Sequence, residues 1–188
     1  MDDLQLKEII EGLENSSGEE FFNRIVLNLA SVIQIEYVFI ARLDMRNRLS
    51  KTVAVAAKGQ IVDNFEYKLQ DTPCANVADN SVCCYPNRIS YQFPKDELLV
   101  QMKIESYLGS PLYDSKGNVL GLMVALGESE LKNKELVTTL FHIFSGRISV
   151  EMERIEQEKM IQHILYFDTK TELHNSTFLE KNLQSSNI

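Results

Sequence analysis

Leu140, Phe144, Ile148, Met152 and Ile155 recur at helical spacing near the end of the chain, and Ile161, Ile164 and Leu165 resume the stripe. If residues 133–167 form one helix, it is roughly 50 Å long at about 1.5 Å per residue. A compact domain built from the preceding residues has a radius of gyration of about 14 Å. Such a helix leaves the domain and carries its apolar edge with it. An edge with no core beneath it seeks a second copy of itself. The spacing therefore predicts a homodimer with Leu140, Phe144, Ile148, Met152 and Ile155 at its interface, and a sensing module joined to an output rod.

Composition narrows the remaining choices. At 188 residues, one domain with appendages is expected, and its core needs neither disulfide nor metal. A formal net charge of −8 argues against a broad nucleic-acid surface, which needs clustered Lys and Arg. No apolar run reaches the length of about 18 residues that a membrane span requires. The acidic, polar start Met1-Asp2-Asp3-Leu4 does not resemble a secretory signal. Cys74, Cys83 and Cys84 are an odd count, and an adjacent pair makes a strained bridge. A reducing cytoplasm fits them best.

Residues 3–13, with Leu4, Leu6, Ile9, Ile10 and Leu13, read as a short helix. Ser17 and Glu20 have capping-box spacing, and Phe21, Phe22, Ile25, Val26, Leu29, Val32 and Ile33 give the next helix a broad apolar face. From Ile35 the period changes to two: Ile35, Tyr37, Phe39, Ala41 and Leu43 alternate, then Val53 and Val55 continue after a turn. That pattern predicts a hairpin. A weaker strand is expected over Phe65 to Leu69. Thr72-Pro73 and Phe93-Pro94 each open a short helix, Asp96 and Glu97 falling in the first turn of the second. The residues between these helices, 81–91, look short and irregular. Strands over Glu105–Tyr113 and Val119–Leu126 flank a turn at Lys116-Gly117-Asn118, which favours positive φ. The resulting class is α/β (α+β), an antiparallel sheet with helices on one face.

These residues resemble a GAF domain of the kind found in bacterial signalling proteins, over Phe21 to Arg154. The resemblance rests on Asp71-Thr-Pro-Cys-Ala-Asn-Val, Cys84-Tyr-Pro, Phe93-Pro-Lys-Asp, the run Ser106-Tyr-Leu-Gly-Ser-Pro-Leu-Tyr-Asp-Ser-Lys-Gly-Asn-Val-Leu-Gly, and the exit-helix residues Phe144 to Arg154. It implies a GAF-like central sheet of about five to six strands flanked by helices. It also implies an effector pocket near Cys74, Val77, Tyr85, Phe93 and Tyr107. Asp168, Thr171, Leu173 and Asn175 are similar to the opening signature of a GGDEF domain, with Lys170, Glu172 and Ser176 departing from it. No Gly-Gly-Asp/Glu-Glu-Phe motif follows, so cyclase activity is not expected in this chain. The implied organisation is an N-terminal helix (1–15), a sensor domain (16–130), a signalling and dimerisation helix (131–167), and the start of a GGDEF-like domain or a disordered tail (168–188).

Competing chemistries fit less well. Some stand-alone GAF proteins resemble free methionine-(R)-sulfoxide reductases, but adjacent Cys83 and Cys84 do not match the cysteine spacing of those enzymes. Cys74 follows a helix-opening Thr-Pro, which lowers thiol pKa, yet inert burial is the commoner fate of such a residue. His142, His163 and His174 lie far in sequence from every cysteine, unlike a bilin-attachment pair, and lack metal-ligand spacing. Phe93-Pro-Lys-Asp96-Glu97 lacks the Asn-Lys partner of cyclic-nucleotide GAF domains. No phosphate cradle and no Ser/His/Asp order are present. Gly146 costs the exit helix about 1 kcal/mol relative to Ala, and either permits close helix approach or is merely tolerated.

The expectation is thus a cytoplasmic, non-catalytic, small-molecule-sensing homodimer that controls cyclic di-GMP turnover by a downstream GGDEF-type domain. No metal, nucleic-acid partner or membrane span is expected, and neither effector nor cofactor is named by the residues. The alternatives are a cysteine-dependent redox enzyme and a ligand-free dimerisation scaffold.

Overall fold

The computed structural model describes residues 16–79 and 82–166. The helix predicted over residues 3–13 and the GGDEF-like run from Asp168 lie outside these residues. The described elements are α1 (Gly18–Ile33), β1 (Tyr37–Asp44), β2 (Leu49–Ala57), β3 (Gln60–Ile61), β4 (Glu66–Lys68), α2 (Pro73–Ala78), β5 (Cys83–Tyr85), α3 (Ile89–Gln92), α4 (Glu97–Gln101), β6 (Ser106–Tyr113), β7 (Val119–Gly127) and α5 (Lys134–Tyr166). The chain divides after Glu151 into two compact units.

In the first unit, seven antiparallel strands run in the order β3-β2-β1-β7-β6-β5, with β4 pairing β2 off this path. The central register places Phe39 opposite both Val55 and Val124. These three residues share one face with Ala41, Tyr107 and Leu122, and there they meet Cys74, Val77, Ile89 and Leu99 from the short helices. Successive strand residues point to opposite faces, so Val38, Ile40, Ala54 and Ala56, all essentially inaccessible, face the other way. Helix α1 packs along β1 and β2. The Arg147 guanidinium of α5 lies 5.6 Å from the Phe21 ring of α1.

Helices therefore cover both faces of the sheet, not the single face expected. The hydrophobic pattern explains this: residues 38–41 are buried without interruption, as in a strand sandwiched between two layers.

Three local expectations change in instructive ways. Ser17 is the N-cap of α1, but its side chain makes no capping bond. Instead the Gly18 N–H donates to Glu151 Oε1 of α5 at 2.5 Å, while Glu20 pairs with Arg24. A buried carboxylate from elsewhere in the fold has replaced the local capping box. Near Pro94 the helix begins only at Glu97, because Asp96 is itself the N-cap and accepts the Leu99 N–H at 3.2 Å. Within residues 81–91, Cys83–Tyr85 pairs as a strand with Tyr107–Gly109. Three residues are too few to show alternation, so only the neighbouring strand defines it. The β6–β7 turn forms as predicted: Asp114 Oδ1 accepts from the N–H groups of Lys116 and Asn118, with Gly117 at φ 84°.

Candidate ligand-binding face and cavity

Pro73 sits in the first turn of α2, where its missing N–H is harmless. This helix delivers Cys74 and Val77 to the sheet face reached by Tyr107 of β6 and Tyr85 of β5. Phe93, at the end of α3, closes over them: the Tyr85 and Phe93 rings lie 5.5 Å apart, and those of Tyr85 and Tyr107 6.0 Å apart. The five residues expected at an effector pocket are thus gathered in one place.

They are gathered as core. Cys74, Val77 and Tyr107 are buried, and Tyr85 and Phe93 are half-buried. The Cys74 Sγ accepts hydrogen bonds from the Tyr67 hydroxyl at 3.1 Å and the Tyr107 hydroxyl at 3.3 Å. A Cβ added at Gly109 would come within 2.5 Å of the Tyr107 hydroxyl and 2.6 Å of Val77 Cγ2, so the packing here does not admit even a methyl group. Tyr67 was not anticipated. It lies in the three-residue strand β4, and only the pairing of β4 with β2 brings it over Cys74.

The electrostatics of this cluster follow from burial. Desolvation pushes the Cys74 thiol up from 9.0 to about 11, and the two phenol hydroxyls offset this only in part. Desolvation also raises Tyr67 and Tyr107 well above 10.0. All three groups are neutral at physiological pH. Cys83 and Cys84 are half-exposed and outside any disulfide, and desolvation raises both thiols. None of the three is held as an activated thiolate.

Open volume exists elsewhere. A cavity of about 740 Å³ is lined by the last turns of α1 and the residues just after it, by Gly127 at the end of β7 and residues 129–133, and by the first turn of α5, including Asn28, Gln34, Glu36, Glu130, Lys132 and Asn133. No spacing in the sequence pointed to it, because its wall brings the end of α1 together with residues nearly a hundred positions later in the chain.

The α5 residues expected at a dimer interface are placed differently from expectation. Leu140, Phe144 and Ile148 are buried within a single protomer, Met152 is equally inaccessible, and Ile155 is half-buried. The exposed apolar residues of the same helix are Leu136, Ile143 and Val150 in the first unit, and Met160, Ile161, Ile164 and Leu165 in the second. The helical stripe was real, but the domain's own core claims it, and a second stripe points to solvent. No helix among the described residues is long and apolar enough to cross a membrane.

A family model for the GAF domain matches residues 17–152. The chain belongs to the GAF domain family. This GAF domain is 27% identical over 139 residues to the hybrid signal transduction histidine kinase F of Dictyostelium discoideum, an alignment covering 74% of this chain and 12% of that relative. The chain thus spans about an eighth of the relative's length. In fold it is similar to the GAF domain of an Acinetobacter phosphoenolpyruvate-protein phosphotransferase, with a TM-score of 0.67, 18% identity, and coverage of 85% of this chain and 99% of the other. A bacteriophytochrome from R. palustris gives a TM-score of 0.65 at 10% identity, covering 85% of this chain and 39% of that one.

Proposed function

We propose that this GAF domain is the regulatory, effector-responsive part of a signal-transduction protein, and that it works as a homodimer joined through the outward face of α5. The observation that carries this reading is the two-sidedness of that helix. Leu140 and Ile148 are 2% and 0% exposed, while Ile143 and Val150 are 56% and 59% exposed. Leu136, Ile143 and Val150 are spaced seven apart, the repeat that lets two helices pack along one seam. Gly146 lies on the exposed side, and a Cβ there meets nothing within 4 Å in the protomer. An effector that binds one arrangement of the paired helices better than another biases whatever lies downstream.

The output we propose is a GGDEF-type domain acting on cyclic di-GMP, because Asp168, Thr171, Leu173 and Asn175 resemble the start of one. A second reading, a kinase output, is favoured by the histidine kinase relative.

The chain itself is proposed to be non-catalytic and to work in a reducing cytoplasm. A fully buried Cys74 at about 11 is a poor nucleophile at neutral pH. Free methionine sulfoxide with a thiol reductant should therefore not be turned over, and turnover abolished by Cys74→Ser would reinstate the redox enzyme.

Light scattering tests the interface. Wild type is expected to be dimeric, and the double variant Ile143→Asp/Val150→Asp monomeric but folded by circular dichroism, with an unfolding midpoint that no longer depends on protein concentration. A monomeric wild type at high concentration would remove the reading.

A further inference from the structure

The cavity between α1 and α5 carries charges of both signs that the fold uses only in part: Lys132 and Glu130 are exposed at its rim and Glu36 is half-buried. Lys132 has no ion-pair or hydrogen-bond partner among the described residues. Glu36 commits one oxygen to the Glu128 N–H at 2.9 Å, and Glu130 commits one to the Asn87 amide at 3.3 Å. The second oxygen of each has no hydrogen bond among the described residues. At about 740 Å³ the cavity lies within the range of roughly 300–1,000 Å³ typical of small-molecule sites.

The signs restrict the occupant. A simple anion would meet two carboxylates, and a simple cation would meet Lys132. An uncharged apolar molecule would desolvate half-buried Glu36 and pair none of the three groups. A molecule carrying both charges satisfies the set, since charge-assisted hydrogen bonds are the strong ones.

We propose that this cavity binds a zwitterionic metabolite of amino-acid size, its carboxylate held by Lys132 and its ammonium by the uncommitted oxygens of Glu36 and Glu130. This rests on the effector-responsive reading above and gives that effector a chemical class. It also moves the site away from the sheet face, where Cys74, Tyr67 and Tyr107 fill the space themselves. The cavity wall joins the last turns of α1 to the first turn of α5 through Asn28, Asn133 and Leu136. Occupancy therefore acts at the root of the helix proposed to transmit the signal.

The test is a thermal-shift screen of the full chain against the standard L-amino acids at millimolar concentration. Titration calorimetry follows on each hit, with its N-acetyl and carboxamide derivatives. At least one amino acid should raise the midpoint, and removing either charge should weaken binding about ten-fold or more, equivalent to about 1.4 kcal/mol. Lys132→Glu should abolish binding and Lys132→Arg should retain it, with circular dichroism confirming that both variants fold. The proposal fails if no amino acid binds, or if binding ignores the loss of either charge. It also fails if Tyr107→Phe abolishes binding while Lys132→Glu does not. Light scattering separates the two readings: a dimer that binds no amino acid leaves the regulatory reading standing, and a monomer that binds one leaves the cavity standing.

Discussion

The Cys74 face and the α1–α5 cavity make opposite use of polar groups. Around Cys74, the thiol and the Tyr107 phenol are buried, Tyr67 is half-buried, and the three groups satisfy one another, with Phe39 and Phe65 packed against Tyr67 and with Tyr85 and Phe93 beside Tyr107. In the cavity, an ammonium and two carboxylates remain partly uncommitted beside open volume. The first arrangement stabilises a fold and the second leaves interactions available to a ligand. The difference teaches that burial together with mutual satisfaction marks polar groups already committed to the fold.

The comparison breaks most visibly if Tyr107 is dispensable. Tyr107→Ala should cost about 3–5 kcal/mol, the range for deleting a buried aromatic ring, read from the urea midpoint. A near-neutral result would mean that the cluster is an expandable pocket after all.

Raising the pH tests the same cluster without a cavity. The Cys74 thiol keeps its proton to about 11 in the folded state and to about 9.0 when unfolded. Above pH 9 the unfolded chain therefore holds fewer protons, and stability falls as pH rises through this window. The expected loss from this group approaches about 2–3 kcal/mol by pH 11. Tyr67 and Tyr107 are raised as well and act in the same direction above pH 10. Cys74→Ser should flatten the profile between pH 9 and 10 in urea titrations.

Gly109→Ala probes the tightness directly. With contacts of 2.5–2.8 Å awaiting its methyl group, a cost of about 1–3 kcal/mol is expected, measured by thermal unfolding. Gly146→Ala, on the open side of α5, should instead stabilise the protomer by up to about 1 kcal/mol. If light scattering shows the dimer lost at the same time, the glycine serves close helix approach. The smallest effect belongs to the cavity: Asn28→Ala and Lys132→Ala should each shift unfolding by less than about 0.5 kcal/mol. A larger shift would show that the cavity wall is structural and erase the contrast with the Cys74 face.

The sequence determined most of the elements. The apolar positions Phe21 to Leu29 set α1, the alternation from Tyr37 to Leu43 set β1, Thr72-Pro73 set α2, and Asp114 to Asn118 set the last hairpin. These are local patterns, and a residue's spacing from its neighbours is visible in one dimension. Tertiary structure alone decided which stripe of α5 the core would claim, that Glu151 would cap α1 in place of Ser17, that Tyr67 would close over Cys74, and where space would remain. Each of these depends on how separate elements pack together, which spacing along the chain does not show. An apolar stripe states that it must be covered, but only packing decides by what.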